Sequence, residues 1–310
     1  MLSRRSVRIK VMQLLYSKDR DSALTNKDLI KAYELSVTKS YELFLFNLYL
    51  IEKITANAEK DLKKRKSKHL PSDYDKAFTS KVYTNEVIQD IVQNNLLQKK
   101  FDLLDFSGKT NEDYTAKIYE EFSRKEAYKT YIAEPGEEDT IELLLELYRF
   151  CRQNEYFNDT LEDAYYNWLD DKSLVVGAVK KYIKALPSSD KKLYSKFLPE
   201  DETVKEFGGN LLKDCLKKKD DLMKIIIPVL ENWDHERLAI VDTILLQMAV
   251  CEMLEFPTIP CKVTLNEYVE LAKQYSTAKS KEFINGILDK LMKDLEESGQ
   301  LKKEGRGLIT

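Results

Sequence analysis

Apolar residues recur at helical spacing along most of this chain, and polar or charged residues fill the positions between them. In the first segment, Val7, Val11 and Leu15 fall on one face of a helix expected over residues 3–18. Ser3 stands where an N-cap is needed, since its hydroxyl can accept a hydrogen bond from a free backbone N–H. The pattern therefore predicts an amphipathic first helix.

The same spacing predicts a succession of further helices. Their approximate ranges are 26–66, 79–99, 112–132, 138–154, 159–169, 172–186, 211–230, 235–255, 264–275 and 280–297. Pro135-Gly136 separates two of them, and Pro228 should end or kink another. Asp234 is the expected N-cap of the helix over 235–255, while Thr264 with Glu267 forms a predicted capping box.

The composition agrees with helices and argues against sheets. Only 9 glycines and 7 prolines occur in 310 residues. An all-β protein needs frequent turn residues, and an α/β protein needs Gly-rich ligand loops. The predicted fold class is therefore all-α.

Apolar runs and cysteine spacing indicate the compartment and the need for a metal or cofactor. The chain has no run of 18 apolar residues and no apolar segment after its basic N-terminus, so neither a transmembrane helix nor a secretory signal is expected. The four cysteines show no metal-binding spacing, and we expect reduced thiols, no metal and no cofactor in a cytoplasmic protein. These cysteines are Cys151, Cys215, Cys251 and Cys261.

Charge is distributed unevenly along the chain. The net charge is −3, yet residues 1–18 contain no acidic residue. The bases of this segment are Arg4, Arg5, Arg8, Lys10 and Lys18. A basic end on an acidic chain indicates a local anionic partner.

One stripe of the first helix suggests what that partner is. Arg5, Arg8, Met12 and Tyr16 are spaced by three, four and four residues and so lie on neighbouring turns. Guanidinium groups bind phosphate through two hydrogen bonds, and a tyrosine ring can stack on an unpaired base. The stripe suits single-stranded RNA, but the spacing alone favours a solvated amphipathic helix, because short basic runs are frequent.

Signatures of catalysis are missing from the sequence. It contains no Gly-rich phosphate loop, nucleophile elbow or His-Glu-x-x-His motif. Acidic pairs such as Asp170-Asp171 are typical of solvated helix faces. We therefore expect a protein that is not an enzyme.

Three segments carry a resemblance to a known family. The opening Ser3-Arg-Arg-Ser-Val-Arg-Ile-Lys-Val-Met-Gln-Leu-Leu-Tyr16 is similar to the arginine-rich start of NusB proteins. The motifs Asn-Glu-Tyr-Val-Glu-Leu-Ala-Lys, ending at Lys273, and Phe-Ile-Asn-Gly-Ile-Leu-Asp-Lys, ending at Lys290, resemble two specific motifs of the same family. The likeness covers residues 1–18 and 205–296.

The resemblance implies an all-α protein of NusB-like helical bundles that binds boxA-like single-stranded RNA. It implies two further partners, a NusE-type small-subunit ribosomal protein and the antitermination complex of RNA polymerase, with processive transcription as the result. By resemblance, RNA is contacted by Arg4, Arg5, Arg8, Gln13, Tyr16, Tyr275 and Lys279. Asp242 matches an acidic position presented to the NusE-type protein, and Gly286 is expected to permit close helix packing.

The resemblance also implies an organisation into segments. Residues 1–20 supply the first core helix, and residues 205–296 supply the C-terminal core. Residues 21–204 form a helical insertion in place of a short connection, and residues 297–310 form a frayed tail.

Two alternatives stay open at this point. NusB-like domains also occur in RNA cytosine methyltransferases, but the α/β methyl-donor domain of such enzymes cannot be found in this sequence. The second alternative is a non-catalytic helical scaffold that binds proteins and has lost RNA binding. The Tyr-rich insertion suits it, because tyrosine is frequent at interfaces.

Overall fold

The computed structural model describes residues 1–133, 140–230 and 239–308, and these residues form helices and no strand. The all-α prediction is confirmed. The α-helices are α1 Arg4–Arg20, α2 Asn26–Lys66, α3 Asp73–Ala77, α4 Lys81–Thr84, α5 Glu86–Val92, α6 Asn95–Leu103, α7 Glu112–Ser123, α8 Glu126–Ala133, α9 Thr140–Cys151, α10 Glu155–Ala164, α11 Trp168–Lys184, α12 Asn210–Lys217, α13 Lys219–Ile226, α14 Ile240–Glu255, α15 Cys261–Tyr275 and α16 Ser280–Glu297.

Shorter helical segments complete the described chain. A π-helix, Glu202–Gly209, leads into α12. The 3-10 helices are Leu193–Phe197, Ile227–Leu230 and Gly305–Leu308. None of the described helices combines the length and apolar character that crossing a membrane would require.

The chain divides into two compact units. Unit 1 contains Met1 and Thr38–Leu198, and unit 2 contains Leu2–Val37 and Pro199–Thr310. These limits differ from the predicted segments, because unit 2 keeps the first helix together with the first twelve residues of α2. The insertion predicted over 21–204 and the observed unit 1 therefore do not coincide.

Unit 1 is built around the apolar middle of α2. Phe44, Phe46 and Leu48 are fully buried there, as expected for a run with almost no polar residue. Trp168 at the start of α11 is also fully buried, and its Nε1 donates to Asn158 at 3.2 Å. Burial of such large rings contributes most of the hydrophobic stabilisation of a helical core.

Unit 2 is built around α14. Every residue from Ile244 to Met253 is buried, so this helix is enclosed on all sides. It packs against α1, α12, α15 and α16. A helix without a solvated face needs a partner for each polar side chain that it carries.

Several predicted boundaries are confirmed. The predicted ranges 26–66 and 280–297 equal α2 and α16. Ser3 is the N-cap of α1, and its hydroxyl accepts from the Ser6 amide. As expected, α13 ends before Pro228, where the backbone changes to a 3-10 helix.

Other boundaries are wrong, and asparagine side chains explain the main error. The single helix predicted over 79–99 is divided into α4, α5 and α6. Asn85 and Asn94 each accept a hydrogen bond from a backbone amide three residues later, so each starts a new helix. The helix predicted over 112–132 is likewise two helices, α7 and α8.

The C-terminal tail predicted to be frayed is partly held by hydrogen bonds. The tail is not frayed throughout, because the Glu304 amide donates to the Pro257 carbonyl at 3.0 Å and Lys303 Nζ donates to the Phe256 carbonyl. The break at Pro135-Gly136 and the N-cap at Asp234 lie outside the described residues.

Candidate nucleic-acid interface

The first turn of α1 carries basic side chains, although the dipole of a helix disfavours positive charge at its N-terminus. The first turn of α1 contains Arg4 and Arg5 and no acidic residue. The N-terminus of a helix carries a partial positive charge, so cations there are destabilising unless anions lie close. The structure supplies these anions from sequence-distant parts of unit 2.

Arg8 is held inside unit 2 by a two-hydrogen-bond ion pair with Glu252 of α14. Nε donates to Oε2 at 2.8 Å and Nη2 donates to Oε1 at 2.7 Å. Arg8 is 2% exposed and Glu252 is fully buried. The carboxylate also accepts from the hydroxyls of Thr264 at 2.8 Å and Tyr268 at 3.1 Å, so its charge is well satisfied.

The surroundings of the Arg8 guanidinium keep it charged. Burial opposes the charged form, but the hydrogen bonds and charge of Glu252 raise the pKa of Arg8 above its ordinary value. The guanidinium lies 5.0 Å from the ring centroid of Phe207 and 5.7 Å from that of Tyr268. Burial and the charge of Glu252 raise the pKa of Tyr268 as well. Tyr268 therefore remains a hydrogen-bond donor at neutral pH.

The position of Arg8 differs from the exposed stripe expected from the sequence. Met12 is also buried, so two of the four stripe residues face the interior. The reason for the burial of Arg8 is Glu252, a fully buried carboxylate of the apolar helix α14 that needs a base as its partner. A signal for this pair was present, because charged residues inside apolar helical runs occur at both positions.

Arg5 remains at the surface, where it is paired but accessible. Its Nε and Nη2 donate to Glu267 Oε2 and Oε1 at 2.9 and 2.7 Å, and its side chain is 49% exposed. The hydrogen bond from Arg5 lowers the pKa of Glu267, against the opposing effect of burial and with help from Arg8. Arg4, 42% exposed, contacts Glu202 at 3.1 Å.

The capping box predicted from Thr264 and Glu267 is wrong. The α15 helix begins at Cys261, with Pro260 as its N-cap, so both residues lie within the helix. Thr264 donates to Glu252 and Glu267 accepts from Arg5. The two side chains connect helices instead of capping one, a role that local sequence does not reveal.

The other predicted contacts on α1 are accessible to differing degrees. Tyr16 is 39% exposed, and Gln13 is half-buried. Tyr16 follows Arg5 by eleven residues, so the two positions share a face roughly 16 Å apart along the axis. An exposed guanidinium and an exposed ring thus lie on one side of α1.

Tyr275 and Lys279 lie further along unit 2. Tyr275 is half-buried at the last residue of α15, the helix that pairs with Arg5 through Glu267. Lys279 is exposed and precedes α16. The turn between the two helices thus places a tyrosine and a lysine close together in the chain.

Asp242, which the resemblance matches to a partner-facing position, is buried in unit 2. The side chain is 4% exposed in the first turn of α14, and Oδ2 accepts from the Ser280 hydroxyl at 2.7 Å. Its Oδ1 has no hydrogen-bond partner within the residues that the structure describes. Asp242 joins the N-terminal ends of α14 and α16, which suits a carboxylate beside two positive helix ends.

The described ranges 1–133, 140–230 and 239–308 contain no cluster of three or more side chains suited to a metal ion. Cys151, Cys215 and Cys251 are buried there as free thiols, and Cys261 is half-buried. Burial raises the pKa of the Cys151 thiol, which keeps it protonated.

These features define an all-α protein whose basic first helix is fixed by carboxylates of a C-terminal bundle. The sequence model of the NusB family matches residues 163–293. The transcription antitermination protein NusB of Salinibacter ruber is 41% identical over 112 residues, which are 36% of this chain and 70% of that relative. On this evidence the chain belongs to the NusB family, as the motifs indicated.

Two further relatives support the assignment. The transcription antitermination protein NusB of Chloroherpeton thalassium is 38% identical over 36% of this chain and 55% of its own length. That of Thermodesulfovibrio yellowstonii is 38% identical over 31% of this chain and 63% of its own length. No solved structure matches the chain at a significant level. These relatives match about a third of the chain, which fits a member of the family enlarged by an insertion.

Proposed function

We propose that this protein binds boxA-like single-stranded RNA together with a NusE-type ribosomal protein and promotes processive transcription. Its relatives named transcription antitermination protein NusB support the antitermination role. The observation that carries RNA binding is the shared face of α1, where Arg5 and Tyr16 are accessible on a helix that the buried Arg8–Glu252 pair fixes to α14.

In this proposal the predicted residues divide into phosphate contacts, base contacts and one positioning residue. Arg4, Arg5 and Lys279 bind phosphate, and Tyr16 with Tyr275 stacks on bases, leaving Gln13 to meet a base edge. Arg8 is a positioning residue, because its guanidinium is occupied by Glu252 and removed from solvent. Arg8 thereby sets where the arginines beside it project.

The proposed mechanism is assembly and not bond chemistry. RNA bound to this protein and to the NusE-type partner would stay attached to the transcribing polymerase, which then passes termination signals. Asp242 is assigned no direct partner contact in this scheme, because its carboxylate is buried against Ser280.

The test is binding of a fluorescent boxA-like RNA across a salt series, with and without the NusE-type partner. We expect Arg5→Gln to reduce the magnitude of the salt slope by about 0.7. Tyr16→Ala should cost about 1–3 kcal/mol with little change in slope, while Tyr16→Phe keeps the affinity. Lys224→Gln is the control, since this lysine is 76% exposed in unit 2 and paired with Asp221.

Tight, salt-sensitive binding that the partner strengthens is the expected result. If the wild-type protein binds RNA under neither condition, the proposal is wrong, and the protein-binding scaffold becomes the better account. Unchanged affinity in both Arg5→Gln and Tyr16→Ala would exclude the α1 surface.

A further inference from the structure

Unit 1 contains a groove with a strongly basic lining. Its volume is about 450 Å³, and its walls are formed by the last turns of α2, the loop after α2, and the helices α3, α7 and α8. Six basic side chains line it, against two acidic ones. The bases are Lys60, Lys64, Arg65, Lys68, Arg124 and Lys129, and the acids are Asp61 and Glu120.

Both acids of this basic groove are already neutralised by arginines. Asp61 Oδ1 lies 3.0 Å from Arg65 Nε, and Glu120 is paired with Arg124. The two acids of the lining therefore do not balance the charge of its lysines. Among the residues that the structure describes, the side chains of Lys64 and Lys129 form no ion pair or hydrogen bond, and both are exposed.

Carboxylates outside the lining reduce this excess without cancelling it. Lys68 Nζ lies 2.8 Å from Asp75 Oδ1, and Lys60 Nζ lies 3.6 Å from Glu112 Oε2. The Lys60 pair is exposed on both sides, at 72% and 87%, so a phosphate oxygen can replace the carboxylate at little cost.

The groove has a fixed wall and is more than a collection of mobile lysines. The Arg65 guanidinium lies 5.1 Å from the ring centroid of Tyr74 and 4.5 Å from that of Phe78. Its Nη1 donates to Asp75 at 2.8 Å. Burial opposes its charged form, but the ion pairs with Asp61 and Asp75 raise the pKa of Arg65. Arg65 is thus a permanent cation held in place.

The helix dipole does not account for this charge by itself. Lysines in the last turn of α2 offset the partial negative charge of that helix end. Arg124, the C-cap of α7, can offset the end of that helix in the same way, but Lys129 lies in the middle of α8. Bases from three elements converge on one groove, which local helix stabilisation does not require.

We infer that the basic groove of unit 1 binds the phosphate backbone of RNA, as a second contact surface in addition to α1. The inference rests on the proposed RNA-binding function and assigns part of it to unit 1. Lys60 and Lys64 stand one turn apart, roughly 6 Å along the axis, so they form a row and not a single anion pocket. A row of cations suits a chain of phosphates, and it supplies affinity without base specificity.

The test uses the full-length protein and a 30-nucleotide RNA that carries a boxA-like element. We expect Lys64→Gln/Lys129→Gln to weaken binding about tenfold near 0.1 M salt and to reduce the slope magnitude by about 1.4. The control is Lys181→Gln/Lys184→Gln, which removes the same charge from exposed positions at the end of α11 in the same unit. Its binding should stay within twofold of wild type.

The outcomes separate this inference from the function on which it rests. If Arg5→Gln weakens RNA binding but Lys64→Gln/Lys129→Gln binds RNA with wild-type affinity, the groove assignment alone is overturned. No RNA binding by the wild type would overturn both. If Lys64→Gln/Lys129→Gln keeps wild-type RNA affinity but loses binding to phosphatidylserine vesicles, the groove binds a membrane surface and the inference is overturned. An equal loss in the control pair would show a general charge effect and overturn it too.

Discussion

The guanidinium of Arg8 and the carboxylate of Glu252 face each other through two hydrogen bonds of 2.8 and 2.7 Å, with neither group open to solvent. The pair joins the first helix of the chain to the enclosed helix α14. One arginine of the basic N-terminal segment thus belongs to the interior of unit 2, while Arg4 and Arg5 stay accessible.

The first prediction concerns the stability of this pair. Arg8→Met should lower the free energy of unfolding by about 3–5 kcal/mol, because it leaves the Glu252 charge buried without its partner. The double variant Arg8→Met/Glu252→Met should be less destabilised than the sum of the two single variants, since no unpaired charge remains. Urea unfolding followed by circular dichroism measures all three.

Whether the two single losses of stability add in the double variant shows whether Arg8 and Glu252 interact. If the single losses simply add in the double variant, the two side chains do not depend on each other. Arg4→Met is the matched control, because its pair with Glu202 is exposed at 42% and 69% and should change stability by less than about 1 kcal/mol.

Local patterns in the sequence were sufficient for much of the fold. The bounds of α2 and α16 follow from uninterrupted helical spacing, and Ser3 caps α1 as a residue of its type should. Helical spacing and the scarcity of glycine and proline gave the all-α class, which the family motifs also implied. The asparagines that cap α5 and α6 divide the predicted range 79–99, a division that apolar spacing alone does not show.

The candidate site was less predictable, because its partners are far apart in the chain. Arg8 and Glu252 are separated by 244 residues, and Arg5 and Glu267 by 262. Helical spacing places Arg5 and Arg8 on one stripe but does not say which of them meets a buried carboxylate. Tertiary packing decides that, and it likewise takes Thr264 and Glu267 away from the predicted cap.

The second prediction uses two glycines with opposite surroundings. A Cβ on Gly208 would lie 2.0 Å from Val7 Cγ1 and 2.1 Å from the Tyr33 hydroxyl, which donates to the Val204 carbonyl at 2.7 Å. Both neighbours are buried and cannot move freely. Gly208→Ala should therefore cost about 1–3 kcal/mol or more in unfolding free energy.

Gly286 provides the matched comparison and corrects an expectation. A Cβ there would meet nothing within 4 Å among the described residues, so close helix packing does not explain this glycine. Gly286→Ala should stabilise α16 by up to about 1 kcal/mol. Thermal unfolding of both variants tests the contrast, and equal effects would show that the close approach at Gly208 is not limiting.

The third prediction concerns acid stability in unit 1. Hydrogen bonds from Lys68 and Ser72, with Arg65 nearby, hold the pKa of Asp75 well below its ordinary value of 3.8. The folded state thus favours the ionised form, and this contribution is complete above pH 3.8 and is lost as pH falls below it. Asp75→Asn should lower the melting temperature at pH 7. The difference in melting temperature between this variant and wild type should become smaller as pH falls below 3.8.

Asp73→Asn is the control for that experiment. Asp73 is fully exposed two residues away and contacts Lys76 at 3.0 Å, so its removal should leave the pH dependence of melting almost unchanged. A constant difference between Asp75→Asn and wild type from pH 7 to pH 2.5 would contradict the assigned ion pairs.

The last prediction treats Glu267 as a competitor of RNA. In the free protein the Arg5 guanidinium donates to Glu267 at 2.9 and 2.7 Å, through the same fork that would bind a phosphate. Glu267→Gln keeps the shape of the side chain but removes its charge, which releases Arg5. RNA affinity should rise by up to about fivefold at low salt, because an ion pair of this exposure contributes about 0.2–1 kcal/mol. The gain should disappear at high salt.

Glu270→Gln separates release of Arg5 from a general change of charge. Glu270 is exposed on the same helix and acts on Arg5 through its charge, but no hydrogen bond joins the two. Its removal should raise RNA affinity less than Glu267→Gln does. Weaker binding by Glu267→Gln would instead mean that the carboxylate holds Arg5 in its binding position. Equal gains in the two variants would mean that only the local field matters, since release of the guanidinium would then add nothing.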